Sequence, residues 1–319
     1  LIGMLGRFQY DYKGRYLVSI SARRDGSSRF SEKFRWGTFP SVSAGWNVSD
    51  ENFWSSMSNV INGLKLRASY GTTGNQNFLD YSNAASISLK KDYAFGLDSN
   101  TGITAAALGA TQTAFANSNV KWETTVQRNF GFDMAFFDNK LSFTGDFYNT
   151  DKQDMLFPLL LPPSTGAGQN ATVVLNVGDM NNKGAEFAVN YRHTGKFSWN
   201  IGGTYSKNIN EITKMSGANK TSYMSGGTVV DVNNVDRVTV LKEGYEAGAF
   251  FVMPTNGIVK NAEELAEYKK FWPTAQLGDL RYIDSNKDGK LTDDDRVYAG
   301  SGAPEFELGL NMSCDYKGF

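Results

Sequence analysis

The sequence predicts an all-β protein, an antiparallel transmembrane β-barrel fragment (an open, partial barrel) with long extracellular loops. Three observations predict it. Stretches of about ten residues alternate apolar and polar side chains, and a tilted strand of that length crosses a bilayer. Turns inside the hairpins are very short while the links between hairpins are long, the asymmetry of a membrane barrel. Aromatics make up 13% of the chain, and 33 glycines stand against 7 prolines, which suits twisted, turn-rich sheet.

The elements follow in order. Phe8, Tyr10 and Tyr12, then Tyr16, Val18, Ile20 and Ala22, place strands at 3–12 and 16–24 around Lys13-Gly14-Arg15. Strands at 38–46 and 64–71 flank a longer link, 47–63, with a turn of helix expected around Phe53-Trp54. Phe130, Phe132, Met134 and Phe136, then Leu141, Phe143 and Phe147, place strands at 126–137 and 141–150 around Asp138-Asn139-Lys140. Ala185, Phe187, Val189 and Tyr191, then Phe197, Trp199, Ile201 and Tyr205, place 183–193 and 197–206 around Thr194-Gly195-Lys196. Phe306, Leu308, Leu310, Met312, Cys314 and Tyr316 mark a last strand, 305–316. That makes roughly nine strands, with every short turn on one side, expected to be periplasmic. The links 25–37, 72–125, 151–182 and 207–304 fall outside. Segments 81–91 and 247–253 are expected to add strands within the outer loops.

The opposite face carries Gln9, Asp11, Arg67, Asn129, Asp133, Asp146, Glu186, Asn190, Asn200 and Asn311. In a membrane barrel it lines a wet lumen; in a soluble sandwich it meets water. Periodicity alone fits either arrangement. The closing DYKGF echoes the opening DYKGR and reads as the start of another hairpin, so the chain is expected to be a piece of a longer protein.

Composition narrows the chemistry. Lys and Arg number 32 against 33 Asp and Glu, a formal net charge of -1, which lacks the basic field that nucleic-acid binding needs. Mean hydropathy is -0.39 and no apolar run reaches the length of a membrane helix, but alternating strands average out as polar. Cys314, the single cysteine, has no disulfide partner and lies in an alternating strand pattern as a packed or lipid-facing thiol. With His193 the only histidine, a histidine-based zinc site or a Ser-His-Asp triad is disfavoured. Nothing suggests the carboxylate pair of a glycoside hydrolase; the carboxylates Asp151, Asp154 and Glu211 read as polar loop residues. The chain is not expected to be an enzyme.

One motif carries metal chemistry. DSNKDGKLTDDD, residues 284–295, offers oxygens from Asp284, Asn286 and Asp288 at positions 1, 3 and 5, the Lys290 carbonyl at 7 and Asp295 at 12, with Gly289 at the sharp turn. Asp at 12 is shorter than the Glu of an EF-hand, and no long helices flank the loop. The bland reading is an acidic solvated turn; the sharper one is a structural Ca²⁺ that stiffens an outer loop. Upstream, Asn261 and Glu264 fit a helix cap, and Leu265, Tyr268 and Phe271 share a face that fits rim packing or contact with a partner. Trp36, Trp46, Trp54, Trp122 and Trp199 are expected mostly at the membrane interface. Trp272 is placed in an outer loop, against loop packing or a sugar ring.

Several stretches together resemble a known family. FPSVSAGW (39–46), LKLRASYGTTGNQ (64–76), VKWETTVQRNFGFD (120–133), NVGDMNNKGAEF (176–187) and GDLRYIDSNKDGKLTDDDR (278–296) are similar to the SusC/RagA family of TonB-dependent outer-membrane transporters from Bacteroidetes-type bacteria. The resemblance runs through nearly the whole chain in the expected order. It implies a part of a 22-stranded barrel in the outer membrane, with the plug and the TonB-contacting segment outside this chain. It also implies import of oligosaccharides or peptides with a SusD-like surface lipoprotein and the TonB complex. A different class, a soluble Ca²⁺-dependent carbohydrate-binding or adhesin β-sandwich, remains the alternative.

Overall fold

A computed structural model describes residues 1–77, 86–89, 93–94, 106–107, 109–114, 117–160, 164, 172–215, 221–225, 228–230 and 238–316. They gather into two compact units, Leu1–Lys220 with Pro304–Phe319, and Thr221–Ala303.

In the first unit the strands are β1 (Ile2–Tyr12), β2 (Tyr16–Gly26), β3 (Trp36–Asn47), β4 (Ile61–Asn75), four short strands β5 (Ser86–Leu89), β6 (Tyr93–Ala94), β7 (Ala106–Ala107) and β8 (Ala110–Ala114), then β9 (Glu123–Phe136), β10 (Leu141–Leu160), β11 (Thr172–His193) and β12 (Phe197–Met215). The second unit holds β13 (Thr221–Ser225), β14 (Thr228–Val230), β15 (Thr239–Lys242), β16 (Ala249–Val252), β17 (Thr255–Ile258), α1 (Ala262–Tyr268), β18 (Leu280–Tyr282) and β19 (Val297–Ser301). The chain then returns to the first unit as β20 (Glu307–Tyr316). No described helix is long and apolar enough to cross a membrane, which says nothing of strands.

Nine strands form one antiparallel sheet in the order β1-β2-β3-β4-β9-β10-β11-β12-β20, open at β1 and β20. All nine expected core strands are present. Its hairpin turns follow from local chemistry: Lys13 and Gly14, and Asp138 and Asn139, all have positive φ, the backbone whose twist matches the flanking strands. The link between β3 and β4 forms two 3₁₀ turns, Val48–Asp50 and Asn52–Ser56, where a turn of helix was expected. Segments 81–91 and 247–253 contribute β5 and β16 among the described residues.

Two expectations about the links change. Residues 151–182 read as a long link because they carry no regular period-two alternation, yet β10 runs to Leu160 and β11 starts at Thr172, paired through Leu160↔Thr172 across bulges between Lys152 and Leu156. Likewise 207–215 belong to β12, which stays paired with β11 as far as Gly178↔Met215, so the insert placed at 207–304 becomes the unit Thr221–Ala303. Backbone ladders need no apolar face to continue, so these strands outrun their alternation.

The second unit has a five-stranded sheet, β14-β13-β15-β16-β19, and the pair β17-β18. Val240, Ala249 and Phe251 form one small core. Val259, Tyr268 and Ala275, with Leu265 and Leu291 against them, form another. Asn261 caps α1 by accepting from the Glu264 N–H at 2.8 Å, and Glu264 Oε2 accepts from the Lys260 N–H at 2.9 Å. Leu265 and Tyr268 therefore pack inside this unit, while Phe271 and Trp272 stay exposed.

Candidate functional site

Register sorts the main sheet into two faces. Leu141 stands opposite Phe136 and Tyr191, Phe143 opposite Met134 and Val189, and Phe147 opposite Phe130 and Ala185. The series continues through Tyr191↔Ile201↔Met312 and Trp199↔Cys314 on one side. On the other it runs through Ala68↔Phe130, Val42↔Tyr70, Ile20↔Val42 and Phe8↔Ile20. Every member of the apolar alternation faces one side. Phe130 is 48% and Phe147 45% exposed although both sit on central strands. No soluble core covers them among the described residues.

The opposite row reads Asp11, Leu17, Gly45, Arg67, Gly131, Asp146, Glu186 and Ser206 across successive strands. At its centre the Arg67 guanidinium donates to both oxygens of Asp133, at 2.8 and 3.1 Å, and to Asp146 Oδ2 at 3.0 Å. An open hollow of about 610 Å³ lies beside it, lined by Gln9, Asp11, Ser19, Ser43, Lys65 and Arg67 among others. Nearer the long links, Tyr148 donates to Asn208 at 3.1 Å and Asn210 to Asn182 at 2.7 Å. Such a surface offers hydrogen bonds in both directions among the described residues. It can hold or pass a polar cargo.

Aromatic rings gather on the apolar face near the short turns: Tyr16 against Trp46, Tyr191 and His193 against Trp199, and Phe197 against Tyr316. Trp46 and Trp199 fit the interface expectation, and Trp36 lies on the same face at the other end of β3. Trp54 and Trp122 do not. Trp54 is 7% exposed and donates to the Ile61 carbonyl at 2.9 Å. Trp122 is 8% exposed in a core with Phe30, Phe39 and Val120. Both belong to links that fold back on the sheet, which strand periodicity does not register. Phe39 projects from the polar face, and a Cβ on Gly74 would fall within its ring, so the glycine is the space the ring occupies. The phenylalanine that breaks the polar alternation of FPSVSAGW is the one sequence signal for this core.

Sequence reasoning also missed a node at the short-turn end. Glu51 accepts from the Tyr16 hydroxyl at 2.6 Å, the Trp46 indole at 3.2 Å and Arg15 at 3.3 Å. Those bonds, Tyr16's first, hold the Glu51 carboxyl below its ordinary range.

In the acidic loop, Asp284 accepts from the Asp288 and Gly289 N–H groups at 3.2 and 2.8 Å, Asn286 Oδ1 from Asp288 N–H at 2.9 Å, and Asp288 from Lys290 N–H at 2.8 Å. Lys287 and Gly289 have positive φ, 61° and 82°. Asp295 is fully buried and accepts from the N–H groups of Thr292 and Ser285, each at 2.8 Å, and of Asn286 at 3.3 Å. These bonds, Thr292's first, lower its pKa. The loop thus brings Asp284, Asn286 and Asp288 onto one turn and ties Asp295 beneath it. No group of three His, Cys, Asp or Glu side chains converges as a metal cluster among the described residues, so fit to a cation rests on Asn286 and a carbonyl beside the carboxylates.

An open antiparallel wall with one apolar and one polar face is the class of structure that membrane barrels are cut from. The family model of the TonB-dependent receptor-like β-barrel matches residues 3–302. The chain belongs to that family. It is 33% identical over 322 residues to TonB-dependent receptor P3 of Formosa agariphila, covering all of this chain and 31% of that protein. It is 32% identical over 324 residues to TonB-dependent receptor SusC of Bacteroides thetaiotaomicron, covering all of this chain and 30% of that protein. A solved structure of the RagAB peptide transporter shares the fold, with a TM-score of 0.74 and 23% identity over 99% of this chain and 31% of that one. The chain thus spans about a third of the length of the relatives it matches.

Proposed function

We propose that this chain is part of the barrel wall of an outer-membrane, TonB-dependent transporter of the SusC/RagA type. It imports oligosaccharides or peptides, works with a SusD-like surface lipoprotein and the TonB complex, and carries out no catalysis. The observation that carries this reading is the sorting of the alternating apolar residues to one face across nine strands, with a mostly polar face opposite. Lipid covers the exposed apolar face, and the Arg67–Asp133–Asp146 face lines the path of the cargo. The soluble-sandwich alternative loses ground because it needs a second layer over Phe130 and Phe147. The curated relatives are named TonB-dependent receptors, which supports this reading.

The acidic loop of the second unit, placed outside the cell in this reading, holds Ca²⁺ through Asp284, Asn286, Asp288, the Lys290 carbonyl and Asp295. A cation that binds only the ordered loop offsets part of its ordering entropy.

The test uses the full-length protein in its own host. Membrane fractionation should place it with the outer membrane, and deletion should abolish uptake of a labelled oligosaccharide or oligopeptide. A protein recovered in the soluble fraction, with uptake of both cargo classes intact after deletion, would refute the proposal.

A further inference from the structure

The apolar face ends, toward the long links, in a row of cations. Arg24 lies two residues beyond Ala22, Arg128 two beyond Phe130, Lys183 two beyond Ala185 and Lys207 two beyond Tyr205, all on the apolar side. All four are exposed. Arg24 rides over the Trp36 ring at 5.3 Å and Arg128 over Tyr70 at 6.0 Å; Tyr70 stands directly opposite Arg128, and Trp36 opposite Gly26, two residues beyond Arg24. Just under the lysines runs a chain of rings, Phe147–Phe187, Phe187–Tyr205 and Tyr205–Phe306, with centroids 5.6, 6.3 and 6.2 Å apart.

The depth is that of a headgroup layer. From Trp199 to Lys207 is eight residues along β12, or about 20 Å across a bilayer at ~3.4 Å per residue and ~40° of tilt, close to the height of a barrel's apolar band.

The charges on this row do not cancel. Asp151 is taken by Arg128 at 2.6 Å and by Asn181 at 2.7 Å; Glu211, opposite Asn181, is a further acid on this side and a diagonal neighbour of Lys183, with no ion pair to it. Lys183 and Lys207 have no ion pair or hydrogen bond among the described residues. Lys207 stands opposite Ala185 and Lys183 opposite Ile209, so the two are diagonal neighbours about 7–8 Å apart, their Cβ atoms somewhat closer. Two unpartnered ammonium groups at that spacing repel unless an anion lies between them. A phosphate fits: its several acceptor oxygens can be shared between two point charges.

We infer that this row is a docking surface for phosphate-bearing lipid headgroups, the phosphate held between Lys183 and Lys207 and the acyl chains lying over Phe187, Tyr205 and Phe306. The inference rests on the reading above that the apolar face meets lipid, and it adds a preference among lipids.

The experiment places the full-length protein in nanodiscs of phosphatidylcholine with a minor share of phosphatidic acid, and measures retained lipid by native mass spectrometry. The wild type should retain phosphatidic acid preferentially. Lys183→Gln with Lys207→Gln should lower that preference about thirtyfold, at roughly a fivefold contribution per cation, with insertion unchanged. Arg24→Gln, on a separate strand, should lower it by a smaller factor and serves if the double variant does not fold. Insertion with equal retention by wild type and variants overturns this inference alone. Displacement of the lipid by inorganic phosphate at equal concentration also overturns it, since that marks a simple anion site. Failure of the wild type to insert overturns it together with the membrane reading.

Discussion

Arg67 reaches across the whole width of β9 to Asp146, its Nη2 donating at 3.0 Å to a carboxylate on β10. The reach passes over Gly131, the residue directly between them. A Cβ there would fall against Asp146 Oδ1 and 3.0 Å from Arg67 Cζ. Gly131→Ala should therefore break this cross-strand contact. The groups are 21–41% exposed, so solvent screens the pair and the loss should be about 1 kcal/mol. Thermal melts of the detergent-solubilised full-length protein check this. A variant as stable as the wild type would mean that the bridge contributes nothing measurable.

Trp122→Ala should be the more damaging change. It empties the middle of the Phe30–Phe39–Val120 core, and aromatic deletions of this kind cost about 3–5 kcal/mol. Hydrogen exchange should accelerate at 27–36 and 117–122 before it does on β10 and β11. Uniform acceleration across the sheet would mean that this core is not a local clamp.

Glu51 should make the short-turn end acid-sensitive. Its folded pKa lies below the unfolded one because Tyr16, Trp46 and Arg15 bond the carboxylate. A depressed carboxyl stabilises above the unfolded pKa, and that stability is lost as pH falls through the folded value. The melting difference between wild type and Glu51→Gln should hold steady above about pH 5 and fade below about pH 4. A difference that does not change with pH would assign Glu51 a purely steric role.

Calcium titration separates the two readings of residues 284–295. Calorimetry of the full-length protein should detect Ca²⁺ binding, at about 10⁻⁴–10⁻³ M if the loop behaves as extracellular sites do, and Asp288→Ala should remove it. Asp295→Asn should loosen the loop even without metal, because the amide accepts fewer of the three backbone N–H bonds than the carboxylate. Equal heats from wild type and Asp288→Ala would reduce the motif to an acidic turn.

The sheet was legible because its signal is periodic. A one-residue slip at Phe130 or Phe187 would turn every neighbour to the wrong face, so the apolar face and the nine strands could be placed before any coordinates. What escaped was aperiodic. The ends of β10, β11 and β12 lose the apolar-polar alternation and look like loop until the ladder is seen. Trp54 and Trp122 depend on links that fold back, and nothing in their neighbourhoods gives the direction. The strands of the second unit are three to five residues long, too short for alternation to stand out. The loop's oxygen spacing was visible, but Asp295's commitment to backbone donors was not, since that depends on where Ser285 and Asn286 point.

The order of the nine strands has a bearing on how such a wall is assembled. Each strand pairs with the one that precedes it in the sheet's own chain order, skipping only the excursions that hold β5–β8 and β13–β19. No connection has to thread past another. A chain of this kind can grow by accretion, each arriving strand templated by the exposed edge of its predecessor. Even the longest detour, between Met215 and Glu307, delays closure only logarithmically, each doubling of loop length adding about 0.6 kcal/mol. Evolution can therefore enlarge or replace the excursions between these strands without rewriting the pathway by which the wall is built.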